Sequence, residues 1–135
     1  MALNPHFLLA TRNSMLDLIT SQLGTSAVMN LYAGVQPADT SAAVTAANVI
    51  VATPTFPSTN AFASATAGVI TANTITSDSS AVGGSANWFA LCASTGLRVV
   101  DGSIGTSASD LNLNSQAITT GAAVAITSFT ITMAA

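Results

Sequence analysis

Hydrophobic positions along this chain change their spacing near Gly24. Before it, Leu8, Met15, Ile19 and Leu23 recur along one face at helical spacing. Asn4 is placed to cap such a helix, Pro5 suits its first position, where a missing N–H costs nothing, and Gly24 suits its stop. The pattern predicts an N-terminal helix of roughly 18 residues. Phe7, Leu9, Leu16 and Leu18 add apolar area on its other side. A helix apolar on two sides calls for two partners, here its own β region and a neighbouring subunit.

After Gly24 the chain turns to β-branched and small residues, punctuated by turn formers every ~8 to 12 positions. Strands are expected over 27–32, 48–53, 68–75, 86–93, 97–103, 110–113 and 122–133. The expected fold is mainly β: a small antiparallel β-sandwich of about seven strands preceded by one N-terminal α-helix. Residues 1–24 would form a helical arm and residues 25–135 the sandwich domain, with Trp88, Leu91, Val99, Val124, Ile126 and Phe129 in its core. The plainest hairpin joins Trp88–Cys92 to Leu97–Val100 through Ala93-Ser94-Thr95-Gly96, and Asp101-Gly102 then reads as a turn or a bulge.

The last strand changes parity. Val124 and Ile126 share one side, whereas Phe129, Ile131 and Met133 share the other. A period of two absorbs that through a bulge near Thr127-Ser128, expected here in a central strand. The stretches 37–48, 54–67 and 76–85 are rich in Pro, Ser, Thr, Asp and Gly and read as exposed, flexible loops.

Composition alters this picture in two ways. Half the residues are apolar, but much of that is alanine, and the aromatics are five Phe, one Trp and one Tyr. A thin core of that kind fits two packed sheets better than a thick α/β fold. The second departure is charge. The chain has no lysine and no glutamate; its charge complement is Arg12, Arg98, Asp17, Asp39, Asp78, Asp101 and Asp110, beside a single His6, for a net charge of -3. Soluble domains are typically about a quarter charged, and sheet edges are normally guarded by lysine, proline or inward-pointing charge. A surface built from Ser, Thr, Asn, Ala and Gly invites permanent cover by other polypeptide, which points to a structural subunit.

Two arginines cannot supply the clustered cations that phosphate backbones demand, so a nucleic-acid partner is excluded, as is an anionic membrane surface. No apolar run reaches the ~18 residues of a membrane span. The apolar run from Phe7 to Ala10 lacks the basic flank and the length of a signal peptide, and a lone Cys92 leaves no intrachain disulfide, so assembly in a cytoplasm is expected.

The residues for chemistry are few. His6 stands alone at the helix start, and no Gly-x-Ser-x-Gly elbow accompanies the many serines. The aspartates mostly sit beside Gly, Ser, Thr or Ala, as turn and cap residues do. Asp110-Leu111-Asn112-Leu113-Asn114 opens like a calcium loop, but Ser115 stands where glycine is needed and Gly121 where a bidentate glutamate is needed; a strand with Leu111 and Leu113 inward explains it better. One Cys and one His cannot hold zinc. Cys92 reads as a small buried hydrophobe, and Trp88 as a core or interface anchor rather than a sugar platform. Neither a catalytic residue, a cofactor nor a metal is expected.

The stretch Asn30-Leu31-Tyr32-Ala33-Gly34-Val35-Gln36-Pro37-Ala38 resembles a strand, small-residue turn and Gln-Pro-Ala signature of small structural proteins of tailed bacteriophages. Gly68-Val69-Ile70-Thr71-Ala72-Asn73, Ala86-Asn87-Trp88-Phe89 and Val100-Asp101-Gly102-Ser103-Ile104-Gly105 are similar to the same group, so the resemblance covers most of the β region. It implies a virion component of the capsid decoration or cement type, sitting on the capsid surface as a homotrimer. The major capsid protein or another virion protein would be its partner. Leu8, Met15, Ile19 and Leu23 would then line the trimer interface, with Phe7 near the shell. A tail, neck or head-fibre component would share fold and composition. A carbohydrate-binding, adhesin-like sandwich is the functionally different alternative, and it requires exposed aromatics beside polar loops.

Overall fold

A computed structural model describes residues 5–135. The helix α1 runs over Leu9–Leu23 and is followed by nine strands: β1 (Val28–Tyr32), β2 (Ile50–Ala52), β3 (Val69–Thr71), β4 (Gly84–Ser85), β5 (Trp88–Cys92), β6 (Arg98–Gly105), β7 (Leu111–Asn112), β8 (Ala117–Ile118) and β9 (Thr130–Thr132). The fold is mainly β with a single N-terminal helix. The principal sheet has the order β2-β1-β5-β6-β7, while β3 pairs with β9 and β4 with β8. All pairings are antiparallel except β6 with β7, which is parallel. The small sandwich is therefore mixed at one edge.

Strand β5 organises the molecule because both its neighbours are hydrogen-bonded and both its faces are covered. Phe89 and Leu91 point with Met29 and Leu31 into the main core, against Ile70, Phe62, Val124, Ile126 and Phe129. Trp88, Ala90 and Cys92 point the other way and form a small second cluster with Tyr32. Period-two alternation thus separates two residues expected to share a core: Leu91 lies in the main one and Trp88 on the opposite face. Val99 is only half-buried at the margin of the main core, whereas Val124, Ile126 and Phe129 are buried in it.

The helix begins later than its sequence pattern suggests. Its N-cap is Leu8, which offers no side-chain cap bond, and residues 5–8 are exposed and non-helical. Asn4, the expected cap, lies outside the described residues. A first helical turn is unfavourable unless packing reinforces it, and residues 5–8 are exposed. Gly24 ends the helix as expected, its N–H bonding to the Thr20 carbonyl at φ +64°. The buried face consists of Leu16, Thr20 and Leu23, and Leu16 and Leu23 belong to the same core as the sheets. The helix is docked on its own β region.

Polar side chains of α1 fix that docking. Asn13 accepts the Gly68 N–H (2.9 Å), Asp17 accepts the Ala65 N–H (2.7 Å), and Arg12 donates to the Met133 carbonyl (3.0 Å). Each satisfies a backbone group of an irregular segment that no sheet neighbour reaches.

The expected hairpin forms between β5 and β6, closed by the Ala93 N–H to Leu97 carbonyl bond, with Gly96 at φ +89°. Its register shift lies between Leu91 and Cys92, not at Asp101-Gly102, which continues the ladder opposite Ala90 and Phe89. Glycine is needed at 102 for a different reason: a Cβ there would stand 2.8 Å from the Phe89 ring. The long final strand is also replaced by something else. The parity switch does fall at Thr127-Ser128, both exposed, but no ladder runs through them to bulge. Val124 bridges to Asp78, residues 125–129 leave the strand, and only β9 resumes pairing, in a two-stranded sheet. Breaking the strand lets Val124, Ile126 and Phe129 all face inward, which a continuous period of two forbids.

Two segments expected to be exposed loops carry core. Within 54–67, Pro54, Phe56, Ala61, Phe62 and Ala65 are buried; 76–85 contributes Ala81, and its end forms the exposed strand β4. Phe56, Phe62, Phe129 and Phe89 form a chain of ring contacts with centroids 5.7, 6.1 and 5.4 Å apart.

Candidate functional site

Every charged side chain of this protein is engaged by its own chain. Besides Arg12 and Asp17, Asp78 accepts the Thr53 and Ser80 N–H groups (2.7 and 2.8 Å) and joins the 76–80 turn to the end of β2. Asp110 accepts the N–H and hydroxyl of Ser103 (both 2.8 Å), fastening the entry of β7 to β6. Asp39 accepts the Ser41 and Ala42 N–H groups (2.8 and 2.9 Å), an Asx turn in the segment that crosses the second face of the sheet. The expectation of turn and cap residues fits Asp39, Asp78 and Asp110, whereas Asp101 lies within β6 in an ion pair and Asp17 lies within α1 and reaches the distant Ala65.

These bonds displace acidities. The Ser80 N–H, then that of Thr53, hold the Asp78 carboxyl below the ordinary aspartate range; the Ser103 N–H and then its hydroxyl do the same for Asp110. At Asp39 the Ser41 hydroxyl is the main cause, followed by the Ser41 and Ala42 N–H groups. A depressed carboxyl stabilises the fold above the unfolded pKa of about 3.9 and loses that contribution as pH falls toward its folded value. The urea midpoint is therefore expected to hold steady from pH 7 to about pH 5 and to fall below about pH 4. In Asp78→Asn the acid-side fall should be shallower, and an unchanged profile in that variant would contradict the assignment.

Arg98 makes the densest set of contacts. Its Nε donates to the Thr40 carbonyl (3.1 Å) and its Nη2 to those of Asp39 and Ala42, while Asp101 lies 3.6 Å from Nε. Asp101 also accepts from Gln36 (3.3 Å). Both ionic side chains are over nine-tenths buried. The guanidinium pins the 39–42 turn over the second face, 5.7 Å from the Trp88 ring. Trp88 stacks on Tyr32 with centroids 4.2 Å apart and donates its indole N–H to Asn48 (3.0 Å).

This cover decides the chemistry available. A cleft of about 410 Å³ lies beside it, lined by Asn30, Tyr32, Val44, Cys92, Leu97 and Arg98 among others. Burial pushes both the Cys92 thiol and the Tyr32 hydroxyl up, so neither is ionised near neutrality, and Asn30 donates weakly to each. No base stands at hydrogen-bond distance from the thiol among the described residues, and a protonated thiol is a poor nucleophile. His6 is exposed, ahead of the helix and outside this cleft. Among the described residues no three His, Cys, Asp or Glu side chains come together as a metal site. The Asp110 and Asn112 carboxyl and amide oxygens accept from Ser103 and Ser109. No described helix is long and apolar enough to cross a membrane. Trp88 is 1 % exposed, and every aromatic other than Phe7 is buried, so none of those six offers the stacking platform a sugar requires.

What the surface does present is apolar. Phe7, Leu8, Leu9, Met15 and Leu18 are exposed in and just before α1. Of the five residues expected at an oligomer or shell interface, Phe7, Leu8 and Met15 lie in this patch, Ile19 is half-buried on its border, and Leu23 is in the chain's own core and unavailable. Leu18 and Leu9 belong to the patch in their place. The 100° helical step carries Leu23 to the side of Leu16 once the helix docks through Leu16 and Thr20. No family model, curated protein or solved structure matches this chain.

Proposed function

We propose that this protein is a non-enzymatic structural subunit of a virion, of the capsid decoration type, held as a homotrimer on a shell of other protein. The supporting observation is the scarcity of charge: two arginines and five aspartates, each bonded within its own fold, leave a surface built mostly from uncharged polar and apolar groups. Solubility as a separate molecule normally relies on free surface charge. A subunit permanently covered by neighbours has no such need, and like-charge repulsion between copies would oppose its packing. Cementing a shell is a mass-action effect: a ligand that binds only the assembled state stabilises it, the more so the further its concentration exceeds its Kd. Apolar and main-chain contacts serve this role at any ionic strength, because little charge is available for salt to screen.

The likeness of the Asn30–Ala38 stretch to tailed-phage structural proteins supplies the particle, and the charge inventory supplies the permanence. Immunogold labelling of intact phage particles from the source, with antibody raised against the purified chain, tests the assignment. Gold regularly distributed over the head is the expected result. Label confined to the tail would move the protein to the tail, and particles free of the protein by mass spectrometry would end the proposal.

A further inference from the structure

The outward side of α1 carries a regular pattern. From the N-cap Leu8, just ahead of the first turn, Thr11, Met15, Leu18 and Gln22 follow at steps of three, four, three and four residues, and all five are exposed. They lie away from Leu16, Thr20 and Leu23, which dock the helix on its own sheets. A stripe with alternating three- and four-residue steps is the geometry by which one helix packs along another. The exposures of Leu8, Met15 and Leu18 are 73 %, 42 % and 56 %, so the stripe is open along its length.

We propose that this stripe pairs with α1 of further copies of the same chain, in parallel and in register, around a symmetry axis running along the helices; the inference rests on the reading of the protein as a multi-copy structural subunit. Three observations favour that occupant. The first is the order of polar and apolar layers. In parallel register Leu8, Met15 and Leu18 each meet themselves, while Thr11 and Gln22 meet hydroxyl and amide partners able to return their hydrogen bonds. Antiparallel packing centred on Met15 sets Gln22 against Leu8 and Thr11 against Leu18, leaving each polar group facing a hydrocarbon. A buried polar layer that pairs only with itself is a recognised way of fixing register.

The second observation is electrostatic. Self-pairing of an ordinary surface helix brings like charges together, but the two charges of α1 are turned away: Arg12 to the Met133 carbonyl and Asp17 to the Ala65 N–H. Ser14 and Ser21 flank the stripe on one side and Ile19 on the other. The third excludes a lipid surface. A helix lying in a membrane interface carries Lys or Arg along its polar face, and the only cation of this helix is pinned to its own domain.

Leu18→Cys under mild oxidation tests direction and partner together. Parallel pairing places two copies of position 18 side by side and gives a covalent dimer on non-reducing gels. Antiparallel pairing centred on Met15 separates them along the axis by about 9 Å, from a rise of ~1.5 Å per residue, beyond the roughly 7 Å limit between bridged Cα atoms. Thr11→Cys should cross-link likewise, and the unmodified chain, whose Cys92 is buried, should not. In a second arm, Met15→Lys with Leu18→Lys should convert the oligomer to monomer at unchanged circular dichroism, since both side chains lie outside the core. A wild-type oligomer that survives this double substitution, or a Leu18→Cys chain that does not cross-link, overturns this inference alone. A monomeric wild type overturns the multi-copy reading with it.

Discussion

Replacing Phe62 by alanine should destabilise the domain by about 3 to 5 kcal/mol, the range for emptying a well-packed aromatic site. The ring is 1 % exposed and stands between Phe56 and Phe129, themselves buried, so no neighbouring side chain can swing in from the surface to fill the space. Domains of this kind hold only about 5 to 15 kcal/mol in total, so the variant should show a markedly lower urea midpoint with an unchanged slope. The single tryptophan reports the transition. Val82→Ala, at an exposed position, should stay within about 0.5 kcal/mol of the parent. A Phe62→Ala midpoint equal to that of Val82→Ala would mean that the segment is the surface loop its composition suggests.

Arg98→Met is expected to produce the second-largest effect, and a local one. Removing one partner of a buried ion pair strands the other, at roughly 3 to 5 kcal/mol; the 3.6 Å separation from Asp101 and the unbonded state of Asp101 Oδ2 place this pair toward the lower end. The carbonyls of Asp39, Thr40 and Ala42 also lose their donor. The 39–48 segment would then come away from the sheet, and Trp88 would lose both the overlying cation and the Asn48 acceptor held by that segment. Red-shifted Trp88 emission in the folded variant, with the secondary structure retained, is the expected signature. Emission unchanged from the parent would show that the second cluster stands without its clamp.

These two predictions fall on residues that the sequence treats very differently from Phe129. Local alternation placed Phe129 inward, because Ile131 and Met133 repeat it at steps of two. Phe62 sits among Ser, Thr, Asn and Ala in a segment with no period, and only tertiary contacts with Phe56 and Phe129 reveal it as core. Strand positions β1, β5 and β6 were legible for the same local reason, as was the tight hairpin with Gly96. The ends of the helix were legible only at Gly24, where a backbone conformation demands glycine. Its start depended on packing that no local pattern records.

The chemistry of the aspartates was legible in kind but not in partner. Asp-Ser and Asp-Gly neighbours suggest turns, and Asp39, with Ser41 and Ala42 donating to it, is a local turn of that sort. Asp17 reaching Ala65 and Asp78 reaching Thr53 are contacts between segments 48 and 25 residues apart. Asp101-Gly102 misleads for a related reason. The dipeptide has turn chemistry, but the Phe89 ring requires the bare Cα of Gly102, and Arg98 with Gln36 holds Asp101. Interface residues were legible as an apolar surplus on the helix; which members of the surplus face outward followed only from the docking of Leu16, Thr20 and Leu23.

Multi-angle light scattering of the purified chain, across dilution and from low to high salt, reaches most directly the claim that an outer surface so poor in charge belongs under other protein. The account predicts a trimer whose mass is indifferent to ionic strength, since two arginines and five aspartates leave little for salt to screen. A monomer that stays dispersed at high concentration, with its helix stripe in water, would contradict it.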